Sequence, residues 1–168
     1  DIYHIHREQL DGGIISSVVP KITKTAKLAV EKILDKEVLV VGAGIKTGLN
    51  IRIESPEQLG SDLVVDAVAG IAEYKAPMLI FDLGTANTVS VIDSKKNYIG
   101  GMIYPGIGVS LDSLTERAAQ LRGIGLEAPN DMIGKNTIEC MKSGMIYSSA
   151  AAIDGIIDRL EERIGEKT

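Results

Sequence analysis

Asp82 closes the apolar run Pro77-Met78-Leu79-Ile80-Phe81 and leads into Leu83-Gly84-Thr85-Ala86-Asn87-Thr88. A short apolar run opened by Pro and closed by an acid and a Gly reads as a buried strand. An Asp at its end holds a carboxylate in the crevice above a sheet, where a metal or phosphate can sit. Gly84 lets the backbone approach a ligand closely or take a positive φ. Thr85, Asn87 and Thr88 add hydroxyls, an amide and N–H donors. Val89-Ser90-Val91-Ile92-Asp93 alternates and reads as the returning strand, so the expected object is a hairpin whose tip holds a phosphate oxygen and its counter-cation. An ordinary hairpin with a polar tip carries the same letters, because Asp-x-Gly-Thr is a short motif.

A second acid, Asp62, precedes the run Leu63 to Ala72, which is apolar at nearly every position. A helix apolar on all sides is expected to be buried. Asp62 then falls in its first turn, where N–H donors and the helix dipole favour negative charge. A capping role accounts for such an Asp equally simply. Ahead of it, Ser55-Pro56-Glu57 reads as a helix start with Ser55 as N-cap and Pro56 at the first helical position.

The elements that must hold these acids follow the order strand-helix-strand-helix, then three strands and two helices. Residues 1–10 read as the tail of a helix, with His4 and His6 too close in sequence to share a helical face. Ile14 to Val19 reads as a buried strand ended by Pro20, with Ser16 and Ser17 near its end. Ile22 to Leu34 carries Ile22, Ala26, Ala29, Val30 and Ile33 at helical spacing, with lysines outward. Val38 to Val41 is the next strand. It runs into Gly42-Ala43-Gly44-Ile45-Lys46-Thr47-Gly48, whose spacing is wrong for a phosphate-binding P-loop and which opens no helix. Asn97 to Tyr104 is a third strand after the hairpin, and Pro105-Gly106 starts a helix from Val109 to Leu121. A long helix opens near Thr137, which either caps it or offers a hydroxyl to a ligand. Its stripe is Ile138, Met141, Met145, Ala152, Ile156, Leu160 and Ile164.

Three antiparallel strands before helices, with an acid-Gly-Thr hairpin at the first turn, start one half of the duplicated actin/hexokinase/Hsp70-like (ribonuclease H-like) α/β architecture. Residues 1–75 are then the back portion of the first half, and 76–168 the second half, truncated at its C-terminal end. The 168 residues suffice for a substantial core. A net charge of −5 with scattered Lys and Arg argues against a nucleic-acid surface. Cys140 is the only cysteine, which excludes an internal disulfide framework and fits a reducing cytoplasm. No apolar run reaches the ~18–20 residues of a membrane-spanning helix, and nothing resembles a signal peptide.

Taken together, Gly44-Ile45-Lys46-Thr47-Gly48-Leu49-Asn50-Ile51, Leu59-Gly60-Ser61-Asp62 with Asp66-Ala67-Val68-Ala69, Phe81-Asp82-Leu83-Gly84-Thr85-Ala86 and Gly100-Gly101-Met102-Ile103-Tyr104-Pro105-Gly106 resemble the type III pantothenate kinase family. Gly134-Lys135-Asn136-Thr137 agrees as well. The resemblance implies an ATP-dependent, cytoplasmic phosphotransferase that makes 4'-phosphopantothenate in the first step of coenzyme A synthesis, using Mg²⁺ and a monovalent cation, potassium or ammonium. It implies that Asp62 is the general base, that Asp82 holds the monovalent cation, and that Gly84 and Thr85 contact ATP. It places Ile53, Gly60, Ser61, Asp62 and Leu63 at the pantothenate pocket, with Thr137 supplied across a homodimer interface.

Two positions depart from the family pattern: Leu63 stands where an Arg is usual and Ile53 where an aromatic is usual. A non-catalytic accessory factor of the same fold and a kinase for another hydroxyl substrate are the alternative readings. The resemblance also expects an opening strand with an Asp-x-Gly-Asn-Thr phosphate loop before Asp1 and a closing Thr-Gly-Gly segment after Thr168. On that expectation the 168-residue piece alone does not turn over pantothenate.

Overall fold

A computed structural model describes residues 6–42, 45–118, 121 and 123–168. The helix tail expected at the start, except for His6 to Leu10, and Ala43-Gly44 lie outside the described residues. Within His6 to Leu10 the chain forms one 3-10 turn, Arg7–Gln9, in place of a helix end. The chain divides into two units, Asp1–Tyr74 and Lys75–Thr168. Both mix strands and helices, so the class is α/β.

In the first unit, strand β1 (Gly13–Ile15) pairs in parallel with β2 (Val38–Val40) across helix α1 (Pro20–Leu34). Parallel strands need such a crossover, because a tight turn cannot reverse the chain twice. Pro20 suits the first position of α1, where its missing N–H loses nothing. Ser17 Oγ accepts from Val19 N and from the Thr23 hydroxyl, which fixes the entry. Glu31 Oε1 accepts the Val38 amide at 3.1 Å and ties the helix to the strand that follows it. Gly13 sits in the tightest part of the unit: a Cβ there would lie 3.0 Å from Val38 and 3.2 Å from Leu34.

The strand expected over Ile14 to Val19 is only three residues long. Pairing with β2 ends when Val41 N reaches Ile15 O, and Ser16 to Val19 are then used by α1 and by Ser61. The expected α1 stripe is also displaced. Ile22 and Ile33 are about two-thirds exposed, at 62% and 66%. The covered seam runs through Ala26, Val30 and Leu34 instead, and only Leu34 is fully buried.

Past β2 come the two-residue strand β3 (Asn50–Ile51) and a 3-10 turn, Pro56–Gln58. Ser55 holds the N-cap position of that turn, but no side-chain bond is made; its carbonyl accepts Gln58 N at 3.0 Å. Helix α2 (Ser61–Glu73) follows from Gly60. Expected as buried on every side, it has one fully buried residue, Ala67, while Ala69 and Ala72 are exposed.

The second unit is built on an antiparallel meander of β4 (Met78–Leu83), β5 (Ala86–Ile92) and β6 (Asn97–Pro105), with β5 in the middle. Val89, Ser90, Val91 and Ile92 are all at or below 5% exposure. The alternation expected of β5 therefore does not survive, because a central strand is covered on both faces. By contrast β4, expected as fully buried, keeps only Met78 buried and exposes Asp82 and Leu83. The turn after β5 is held by Asp93, whose Oδ1 accepts from the amides of Lys95 and Asn97.

Helix α3 (Ile107–Arg117) starts from Gly106 and stops four residues before the expected Leu121. Ala118 leaves the helical region at φ −103°, ψ 100°, and its carbonyl takes the Leu121 amide in a turn. Helix α4 (Thr137–Ile164) runs 28 residues and packs against α3, with Leu111 and Met141 buried. Asn136, not Thr137, caps it: the Asn136 side chain accepts Glu139 N at 3.0 Å. Gly165, at φ 74°, ends it in the left-handed conformation that favours glycine.

Candidate active site

Asp62 is the second residue of α2, and its Oδ1 accepts the Leu63 amide at 2.9 Å. Free N–H groups of a helix's first turn have no partners within the helix, so a carboxylate folded back over them is a natural acceptor. Gly60 makes that fold possible, since a Cβ on it would overlap Asp62 Oδ1. Among the described residues Oδ2 has no hydrogen-bond partner, which leaves a half-buried oxygen able to accept a proton. Beside it, the Ser16 hydroxyl donates to Ser61 Oγ at 3.2 Å. The end of β1 and the start of α2 thus meet, and Ser16, Gly60, Ser61, Asp62 and Leu63 form one cluster. Ile53 stands half-buried in the bend after β3, an apolar side chain.

The second cluster lies at the β4–β5 hairpin. Asp82 pairs with Thr88, and Thr88 with Ile103, so these three share one face of the meander. Asp82 is exposed, and its carboxylate has no hydrogen bond or ion pair among the described residues. The neighbouring Thr88 hydroxyl is buried and also unpartnered. A buried hydroxyl without a partner costs free energy, and beside the exposed Asp82 carboxylate the Thr88 hydroxyl makes a pair of oxygen donors that a ligand could take. Asn87 behaves differently: only 8% exposed, it belongs to the opposite face with Tyr104.

Gly84 and Thr85 form the tip between the two strands. Thr85 O accepts Gly106 N at 2.9 Å, fastening the tip to the cap of α3. The packing there is close enough that a Cβ on Gly106 would overlap Gly84 O and stand 2.8 Å from Thr85 O. Since Ser110 N is the first amide to bond back to Gly106 O, the amides of Ile107, Gly108 and Val109 precede the helical ladder. Their positive end suits an anion at the tip. Thr137 is the exposed first residue of α4 and belongs to neither cluster by any hydrogen bond among the described residues. Gly134 before it is required by space: a Cβ would come 2.6 Å from Glu139 C.

Sequence reasoning named Asp62, Asp82, Gly84, Thr85 and the Thr88 hydroxyl but gave no role to Ser16's contact with Ser61 or to Gly106 as the seat of the hairpin tip. The first could be guessed only from the strand-end serines. The last was visible as Gly following Pro105 at a strand-to-helix junction.

The profile of the type III pantothenate kinase family matches residues 2–159. A type III pantothenate kinase from an Exiguobacterium sp. is 45% identical over all 168 residues. The chain spans 66% of that relative's length. Among solved structures, a Baf family protein from Campylobacter jejuni superposes with a TM-score of 0.58, covering 89% of this chain and 66% of that one at 17% identity, which shows likeness of fold alone. With a family profile over most of the chain and 45% identity to a curated member, the chain belongs to the type III pantothenate kinase family.

Proposed function

We propose that the protein containing this chain transfers the γ-phosphoryl group of ATP to pantothenate, giving 4'-phosphopantothenate for coenzyme A synthesis. The observation that carries it is the carboxylate of Asp62, oriented by the Leu63 amide through one oxygen and left open at the other, in a chain of this family. Phosphoryl transfer is mostly positioning and charge neutralisation, with a base to take the hydroxyl proton. The open Asp62 oxygen is that base. Gly60 and Ser61 shape the floor beneath the substrate, and Leu63 and Ile53 form apolar wall where other members carry Arg and an aromatic.

Gly84 and Thr85, backed by the first amides of α3, receive phosphate oxygens. Asp82 and the idle Thr88 hydroxyl are hard oxygen donors and fit a monovalent cation beside those phosphates. Among the described residues no cluster of three or more acidic, His or Cys side chains is available to a divalent ion. Mg²⁺ would come with the nucleotide and would neutralise charge developing on the phosphates. The units correspond, in this reading, to parts of two actin-like halves.

Leu126, Met132, Ile133 and Ile138 are 49–75% exposed around the start of α4, an apolar surface of the kind a two-fold partner covers. Thr137 lies in that surface and would reach the partner's pocket. The expected location is the cytoplasm; among the described residues no helix is long and apolar enough to cross a membrane. An ATP-coupled screen of the full-length protein against pantothenate and related hydroxy acids tests the reading. Turnover selective for pantothenate is expected, and turnover with a different hydroxy acid but not pantothenate would overturn the substrate assignment.

A further inference from the structure

Ser16 is held on both sides by bonds made by its neighbours. Before it, Ile15 O accepts Val41 N at 2.8 Å, where the pairing of β1 with β2 ends. After it, Ser17 Oγ accepts Val19 N at 3.2 Å and the Thr23 hydroxyl at 2.9 Å. The backbone at residue 16 is therefore fixed by a strand end and by the entry to α1. From that place the Ser16 hydroxyl reaches Ser61 Oγ at 3.2 Å, the residue beside the proposed base. The approach involves more than two hydroxyls. A Cβ on Gly60 would stand 3.6 Å from Val18 Cγ1, so the segment after β1 lies against the step into α2.

A serine hydroxyl has one proton to give and two lone pairs to receive with. With Ser16 donating into one lone pair, the Ser61 O–H cannot point back at Ser16 and must turn elsewhere. Among the described residues it has no acceptor. The Leu63 amide, two residues on, is already taken by Asp62 Oδ1, and Val64 N is bonded to Gly60 O. Ser61 thus offers a directed donor next to the open Asp62 oxygen. Directing it before the substrate arrives matters, because a free rotor must be immobilised at the expense of binding.

We propose that Ser16 is a positioning residue for the substrate: it turns the Ser61 O–H to donate to a substrate oxygen beside Asp62. The inference rests on the proposed phosphorylation of pantothenate. Its test is a double-mutant cycle in full-length protein, with Ser16→Ala, Ser61→Ala and the pair, reading kcat, KM for pantothenate and melting temperature. Ser16→Ala should raise KM about three- to tenfold, the size of one neutral hydrogen bond, with kcat within about twofold. In the Ser61→Ala background the same change should leave KM almost unmoved, because the hydroxyl it directs is gone. Ser16→Thr keeps a donor and should bring KM back toward the parent value. Since Ser16 is exposed, its truncation should barely alter the melting temperature. Four results would overturn the inference and leave the pantothenate reading in place: KM unmoved by Ser16→Ala, an equal rise with and without Ser61, a loss confined to kcat, or a rise that tracks a lowered melting temperature. A parent protein that is folded and does not turn over pantothenate would overturn the reading, and the inference with it.

Discussion

Replacing Asp62 with Asn separates the chemistry of this carboxylate from its structural part. The amide keeps an oxygen for the Leu63 N–H now 2.9 Å from Oδ1, and it fits the space that Gly60 leaves free. What is lost is negative charge at the first turn of α2 and the open oxygen proposed to accept a proton. The charge at a helix start is worth about 0.3–1 kcal/mol. For a protein of this size that lowers the melting temperature by at most about 4 °C. Loss of a positioned general base costs a rate factor of ~10²–10⁴, or about 3–5 kcal/mol of barrier. The two consequences differ enough to be read apart. Steady-state ADP release by the full-length Asp62→Asn variant should show kcat down by that factor with KM for pantothenate nearly unchanged, beside a small thermal shift. A kcat within about threefold of the parent, against the factor expected for a lost base, would refute the assignment. So would a loss of activity that merely tracks a melting temperature lowered by far more than 4 °C.

Gly106→Ala puts a methyl against the carbonyls of Gly84 and Thr85, backbone atoms that cannot swing aside, so a stability loss of about 1–3 kcal/mol is expected in urea denaturation. Leu63→Arg introduces the bidentate anion binder that the family resemblance leads one to expect; it should lower KM for pantothenate, and an unchanged KM would remove Leu63 from the proposed substrate pocket. At the end of α4, hydrogen bonds from Lys167 and then from the Thr168 amide hold the Glu161 carboxyl below its ordinary 4.5. Its folded value being depressed, the unfolded chain binds more protons as the medium is acidified. The contribution is therefore complete above the unfolded value and lost as pH falls through the folded one. Melting temperatures followed across the acid range should fall less steeply for Glu161→Gln than for the parent.

The hairpin was legible because its signals are local. An apolar run ending in Asp-Leu-Gly-Thr places a turn at Gly84–Thr85, and the structure turns there. The start of α2 was legible for the same reason, since the Gly60-Ser61-Asp62 step is punctuation carried in the chain itself, whereas Pro20, read as the end of a strand, is the first residue of α1. What escaped depends on partners. Ile14 to Val19 has the composition of a six-residue strand, but β2 offers pairing for only three. Ile22 and Ile33 look like core by spacing, yet the seam of α1 is set by where β1 and β2 lie, one position round the helix. Asn136 and Thr137 are both good caps by type, and only the Glu139 amide decides between them. Within the candidate site, residue types picked out the two acids. The Ser16–Ser61 bond, the burial of the Thr88 hydroxyl and the seat at Gly106 depend on contacts between segments distant in sequence.

The most direct test of the central claim is to identify the product. Full-length protein incubated with pantothenate, ATP and Mg²⁺ in potassium buffer should form 4'-phosphopantothenate by mass spectrometry, one for each ADP released. Substituting sodium for potassium should lower the rate if Asp82 and Thr88 hold the monovalent cation. ADP release without phosphopantothenate, or no turnover of pantothenate by a protein shown to be folded and to bind ATP, would contradict the account.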